Sequence, residues 1–192
     1  MKTTRLPTSA RSRRAIAGTL AFLSALALAL ALASCASPQL EDHANSRPAF
    51  DFRRYFDGDR VAHGMVIDRA GKVLRRFVVT MRCEWVGDQG TLDEQFVYSD
   101  GEKQQRVWRV HALPDGRFVG TAADVVGQAL GASSGAAFHW HYTLKVQARG
   151  NVYELQFDDW MYRIDERTVL NKAKMSKFGV HVGDVFLSFD RP

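Results

Sequence analysis

The sequence predicts an all-β domain, an antiparallel up-and-down β-barrel or half-barrel of about nine or ten strands. Three observations predict it. Turn signals recur at short intervals, at Arg69-Ala70-Gly71-Lys72, Gly87-Asp88-Gln89-Gly90, Ser99-Asp100-Gly101-Glu102, Pro114-Asp115-Gly116, Ala148-Arg149-Gly150-Asn151 and Val182-Gly183-Asp184. Their Asp-Gly and Gly-Asn pairs supply the positive backbone angles of tight hairpins. Between the turns, apolar residues alternate with polar ones: Phe138, Trp140, Tyr142, Leu144 and Val146 share one face, and His139, His141, Thr143 and Lys145 the other. That period of two belongs to strands with one dry and one wet face. Several runs are also long, about ten residues, and strand edges of that length must be paired, covered or closed. Consecutive hairpins without crossovers favour closure over a two-sheet sandwich. Faces that mix Arg and Glu, with no continuous apolar band, argue against a barrel spanning a membrane.

In chain order, residues 1–14 carry Lys2, Arg5, Arg11, Arg13 and Arg14 and no acid, and residues 15–33 are uncharged and rich in Ala and Leu. A basic region followed by an apolar one and then by small residues is the pattern of a secretory signal. Leu32-Ala33-Ser34-Cys35 ends it. This tetrapeptide looks like a lipobox, which places signal cleavage between Ser34 and Cys35 and lipidation on the Cys35 thiol. The rival reading, a permanent transmembrane helix, needs about 20 strongly apolar residues, and Ala contributes little to membrane transfer. Residues 1–34 are therefore expected to be a lipoprotein signal peptide, residues 35–49 a lipidated tether and residues 50–192 the barrel domain. Residues 50–56 are expected to form a short helix or an irregular lead-in.

Along the domain, Val61, His63, Met65 and Ile67 alternate, as do Phe77, Val79, Met81, Cys83 and Trp85, and Tyr153, Leu155 and Phe157. At Asp158-Asp159-Trp160 the apolar parity slips from odd to even, which predicts a β-bulge at the acidic pair.

The formal charge of +5 invites a nucleic-acid reading. Five of the 26 Lys and Arg residues lie in the signal, however, so 21 basic residues face 21 acidic ones in the rest of the chain. A neutral domain has no general attraction to phosphate backbones, and no nucleic-acid partner is expected. Of the two cysteines, Cys35 would be consumed by lipidation. Cys83 shares the parity of its apolar neighbours and reads as a buried thiol.

Candidate chemistry is sparse. Gly131-Ala132-Ser133-Ser134-Gly135 spells a hydrolase nucleophile elbow, with Asp165 and His181 following in order. An elbow needs a strand before it and a helix after it, whereas another alternating strand begins at Phe138. His139 and His141 share a strand face and could meet one metal ion, but they need a third ligand; His63, His111 and His181 cannot be placed. The adjacent pairs Asp93-Glu94 and Asp158-Asp159 point to opposite faces of a strand, so neither is a ready acid–base dyad. No catalytic residue, metal site or cofactor is assigned.

Three stretches carry a resemblance: Gly90-Thr91-Leu92-Asp93-Glu94-Gln95-Phe96-Val97-Tyr98-Ser99-Asp100-Gly101-Glu102; Thr121-Ala122-Ala123-Asp124-Val125-Val126-Gly127; and Asp158-Asp159-Trp160-Met161-Tyr162-Arg163-Ile164-Asp165, continued by Lys174-Met175-Ser176-Lys177-Phe178-Gly179. Together they resemble a bacterial lipoprotein family known as domain of unknown function 3833. The resemblance implies an envelope lipoprotein with a lipocalin-like barrel and brings no catalytic residues with it. The leading expectation is a membrane-anchored binding module, held by its lipid to the outer membrane on the periplasmic side, with an apolar or fatty-acyl ligand in the barrel. Ala36 after the lipidated cysteine agrees with that address. The alternatives are an enzyme on a similar ligand, with Asp158, Asp159, Tyr162 or His141 as acid–base candidates, and an assembly partner whose barrel is filled. The sequence leaves the oligomeric state open.

Overall fold

Apart from one longer connection, at residues 122–128, each strand of this chain is joined to the next by a short turn, so consecutive strands pair antiparallel. In the computed structural model, which describes residues 37–148 and 150–192, they do so without exception. The strands are β1 (Gly58–Asp68), β2 (Val73–Val86), β3 (Gln89–Tyr98), β4 (Lys103–Ala112), β5 (Arg117–Thr121), β6 (Ala129–Ser134), β7 (Ala137–Ala148), β8 (Asn151–Arg163), β9 (Thr168–Lys177) and β10 (Val180–Asp190). The sheet closes where β10 returns to β1, from Val61 opposite Asp190 to Asp68 opposite Gly183. A full ten-stranded barrel of the lipocalin-like type results, so of barrel and half-barrel the chain forms the barrel. The expected signal peptide, with Ser34 and Cys35, lies outside the described residues.

One end of the barrel, here called the lower end, holds the start of β1 and a plug. Asp51 caps the single turn α1 (Phe52–Tyr55), its carboxylate accepting from the Arg54 backbone N–H at 3.0 Å. The plug packs inward by aromatic contact: Phe52 stacks on Phe138 at 4.3 Å, and Phe56 meets Phe189 edge-on at 5.3 Å. Most of its polar groups are engaged, Arg60 Nε being buried without a hydrogen-bond partner. The Tyr55 hydroxyl donates to the carbonyls of Arg167 and Phe189, each at 2.9 Å, and the Trp85 indole N–H donates to Phe56 O at 2.7 Å. Arg60, buried beneath the turn, donates to the carbonyls of Tyr55, Asp57 and Asp59. Around the plug, Val79, Cys83, Val110 and Val169 close the core almost completely.

Residues 39–49, read from sequence as the outer part of a tether, pack against the outside of the barrel. Gln39 to Pro192 form one compact unit. The Ser46 hydroxyl accepts from the Ala136 N–H at 2.8 Å, and the Phe50 N–H donates to Gly135 O at 2.6 Å. Gly135 makes this fit possible. Its φ is +51°, and a Cβ there would fall 1.7 Å from His43 O, so the segment needs a glycine beneath it.

Two expectations about strand faces are corrected. In β1 the odd set, Val61, His63, Met65 and Ile67, faces outward. The inward positions are Ala62 and Gly64, because the ring of Phe77 lies where a side chain on Gly64 would stand, with its Cζ 2.5 Å from the missing Cβ. In β8 no bulge occurs: pairing with β7 runs unbroken from Ala148 opposite Asn151 to Ala137 opposite Tyr162. The register shifts lie instead between Val66 and Ile67 and between His181 and Gly183. The apolar parity changes in β8 because Trp160 and Tyr162 lie outside the barrel, stacked on each other and covered by the His43 ring, while Asp159 and Met161 continue inward.

Candidate functional site

Above the plug the lumen changes character. Five neighbouring or facing strands each place one polar side chain at an inward position among apolar ones: Glu94 on β3, Arg106 on β4, Tyr142 on β7, Asp159 on β8 and Asn171 on β9. Asp124 joins them from the β5–β6 connection. That connection runs alongside β7, tied by Val126 N–H to Thr143 O and by Lys145 N–H to Asp124 O, both at 2.8 Å.

The geometry divides into two halves. Arg106 grips Asp124 with Nε at 3.1 and 3.0 Å from the two carboxylate oxygens and Nη2 at 2.8 Å from Oδ2. Its Nη1 lies 3.6 Å from Glu94 Oε2, an ion-pair distance at which no hydrogen bond forms. Glu94 Oε2 is buried and accepts no hydrogen bond from the protein. In the other half, the Tyr142 hydroxyl donates to Asp159 Oδ2 at 2.6 Å, while the Asn171 amide donates to Asp159 Oδ1 and, at 3.1 Å, to Trp160 O.

Burial governs the electrostatics. Removing a carboxylate from water penalises its charged form. Burial therefore raises Glu94 to about 7, against the pull of Arg106, and raises Asp159 to about 6 in spite of its two donors. Burial also pushes the Tyr142 phenol well up, with Asp159 adding to it. For Arg106 burial acts against the charge, but Glu94 and Asp124 more than offset it and hold the guanidinium ionised.

Toward the upper end, Leu144, Leu155, Phe157, Met175 and Val185 make an apolar band over the polar cluster. The inward side chains at this level are of two kinds: Leu144, Phe157, Ala173 and Met175 are buried, whereas Val66, Tyr142, Val146, Leu155 and Val185 are half-buried. Glu94 and Arg106 themselves keep 12% and 17% of their side-chain surface. The lower lumen is thus fully packed, and the upper lumen only in part.

A second polar group occupies the outer wall. His139 and His141 project from β7 and meet Asp158 on β8, which stands directly opposite His141. Burial lowers the His139 pKa, with Asp158 working against that shift. On the other side of the barrel, the outward residues His63, Met65, Val78, Val97, Leu170 and Phe186 line an open apolar trough of about 770 Å³.

A family described as "Protein of unknown function (DUF3833)" matches residues 29–191, nearly the whole chain. The chain belongs to that family. No curated protein matches it. Among solved structures, an S-type phycobiliprotein lyase from Guillardia theta has a similar fold, with a TM-score of 0.56 over 81% of this chain and 98% of that one at 9% identity. An identity that low shows a shared architecture and leaves activity aside.

Of the residues singled out from sequence, this DUF3833 chain keeps some apart and brings others together. Cys83 is a buried thiol, pushed up by burial to about 12, and is inert as a nucleophile. Ser133 lies one residue before the end of β6 at the lower end, where the chain turns into β7 with no helix between, while His181 sits at the upper end bonded to Asp184 at 3.0 Å. Asp165 accepts from the backbone N–H groups of Arg167 and Thr168. These three make no triad. Asp93 faces outward and binds Gln95 and Gln105, and His111 contacts Gln89.

Both acidic pairs do split across their strand, as expected, but the inward members Glu94 and Asp159 share the lumen. Sequence reading weighed Glu94 only as half of the Asp93-Glu94 pair, and passed over Arg106, Asp124 and Asn171 as site residues. A signal was present for two of them: Glu94 has the parity of Leu92 and Phe96, and Arg106 that of Trp108 and Val110, and a charge at a dry parity is uncommon without a partner.

Proposed function

We propose that the chain is an envelope binding module whose barrel forms a cup open at one end, taking an amphipathic small molecule into its upper lumen. The observation that carries this is the contrast within one lumen: a packed aromatic floor below, and above it partly accessible inward side chains around a polar cluster in which Glu94 Oε2 lacks a hydrogen-bond donor. A barrel that served only as a scaffold would gain stability by filling this level with apolar side chains. The cluster sets three carboxyl groups against one guanidinium, so an anionic head is repelled from it. The ligand that fits enters with a hydrogen-bond-donating end toward Glu94 and Asp159, and its apolar body, such as an acyl chain, against Leu144, Leu155, Phe157 and Met175.

Native mass spectrometry of the full chain purified from its own envelope, followed by lipid extraction, tests this. Wild type is expected to carry one bound molecule, and Leu155→Trp, which fills the mouth from an already half-buried position, is expected to lose it. An equal load in the two proteins, or an empty wild type, defeats the cup. One observation favours a second reading, catalysis on the same ligand: two carboxyls in the same lumen, Glu94 and the buried Asp159, are raised by burial to about 7 and about 6, a range suited to proton transfer near neutrality. Under that reading wild type releases a chemically altered ligand and Glu94→Gln releases only the unaltered one.

The signal-like segment and Leu32-Ala33-Ser34-Cys35 support the remaining part of the proposal, a lipid anchor on Cys35 holding the barrel at the outer membrane. Cys35→Ala is expected to block maturation or to move the protein out of the membrane fraction. Unchanged fractionation and mass would refute the anchor.

A further inference from the structure

The outer wall carries a site independent of the lumen. On β7 two histidines stand two residues apart on the same face, and β8 brings Asp158 to the position facing His141. His139 Nε2 lies 2.5 Å from Asp158 Oδ1, His141 Nδ1 lies 3.8 Å from the same oxygen, and the two imidazole centroids are 4.1 Å apart. The three donor atoms all fall within 4.8 Å of one another. Ligands bound tetrahedrally at about 2.0–2.1 Å stand about 3.3–3.4 Å apart. The observed separations bracket that spacing, so small side-chain rotations suffice to place one ion among all three.

We infer that His139, His141 and Asp158 form a binding site for a divalent transition-metal ion of the Zn2+ class. Two imidazoles and one carboxylate are the donor set that borderline ions select over Mg2+ or Ca2+, which take oxygen ligands. The barrel wall supplies the preorganisation. β7 and β8 are paired over their full lengths, and His139 is held flat against Trp160 at 3.9 Å and 16°, with the Tyr162 ring parallel to the same indole at 6.1 Å. Access is provided on the other side, because His141 and Asp158 keep 63% and 50% of their side-chain surface while His139 keeps 15%. An ion would replace the proton shared by His139 and Asp158 and retain an open position toward solvent, the arrangement of a site that exchanges its metal or accepts a ligand from a partner. The exposed Lys174, opposite Asp158 on β9, limits the affinity to less than that of a closed structural site.

Isothermal titration of the full chain in detergent with Zn2+ alone tests the site. Wild type is expected to take up one ion per chain with micromolar affinity and to show a higher Tm in its presence. His139→Ala and His141→Ala are each expected to weaken binding at least about tenfold, the least that loss of even an outer partner of a ligand does. His111→Ala, a change at the exposed histidine beside Asp88, serves as the reference and is expected to bind as wild type does. Should His139→Ala disturb the packing on Trp160, His141→Ala decides alone, since that ring is mostly in solvent. Absence of binding by wild type, or Zn2+ uptake that His141→Ala leaves intact, overturns the site.

Discussion

Arg106→Ala is expected to destabilise the barrel by about 3–5 kcal/mol at pH 8, the range for removing one partner of a buried charge pair. Among the described residues, Arg106 is the cation that Glu94 and Asp124 share inside the lumen. Without it both carboxylates remain in a low-dielectric interior with no compensating charge. The loss is expected to be markedly smaller at pH 4.5, and the sign follows from linkage. Glu94 titrates near its ordinary 4.5 in the unfolded chain and near about 7 when folded, and Asp159 near 3.8 and about 6. A carboxyl raised on folding keeps its full stabilising contribution below the unfolded value and loses it as pH rises through the folded value. Wild type should therefore lose stability between about pH 4.5 and 7, by on the order of 3 kcal/mol from Glu94 alone at 1.36 kcal/mol per unit. Removing the guanidinium, which holds Glu94 down, steepens the fall. Urea unfolding of wild type and Arg106→Ala at the two pH values measures it. A destabilisation equal at both would show that the guanidinium acts through packing rather than charge.

Phe52→Ala is expected to cost about 3–5 kcal/mol, the range for deleting a fully buried aromatic side chain. Phe52 is the centre of the floor: it stacks on Phe138 and lies 4.8 Å from Phe56 and 5.1 Å from Phe118, centroid to centroid. The void it leaves cannot easily collapse, since the surrounding walls are strands held on both sides by ladder hydrogen bonds. Equilibrium denaturation gives the number. A cost under about 1 kcal/mol would show that the walls close the lower end without the plug. The two predictions bear on function differently, because Phe52 sets the depth of the cup and Arg106 the polarity of its base.

Much of this architecture was legible in local sequence. Phe138, Trp140, Tyr142 and Leu144 alternate with His139, His141 and Thr143, and the structure puts the first set in the lumen and the second outside. Residues 50–56 read from sequence as a short helix or an irregular lead-in, and a single helical turn, capped by Asp51, is what forms. Two places misled. In β1 the larger residues Val61 and Met65 occupy the outer face, because Phe77 from the neighbouring strand claims the inner space beside Gly64. At Asp158-Asp159-Trp160 a change in apolar parity suggested a bulge, yet the cause was a second dry surface where the 39–49 segment covers Trp160 from outside. Hydrophobic alternation reports which residues are dry and is silent on whether the lumen or a covering segment dries them.

By itself the sequence determined the long strands and their antiparallel order, because these follow from a period of two and from the short turns that join most of them. Tertiary structure decided closure, through the pairing of Val61 with Asp190 across the whole length of the domain, and with it the level at which each inward residue sits. Strand number and stagger together set those levels. That is why Glu94, Arg106, Asp124 and Asp159 meet inside the lumen, and why Asp158 completes a group with His139 and His141, whose spacing along the chain had already put those two on one face.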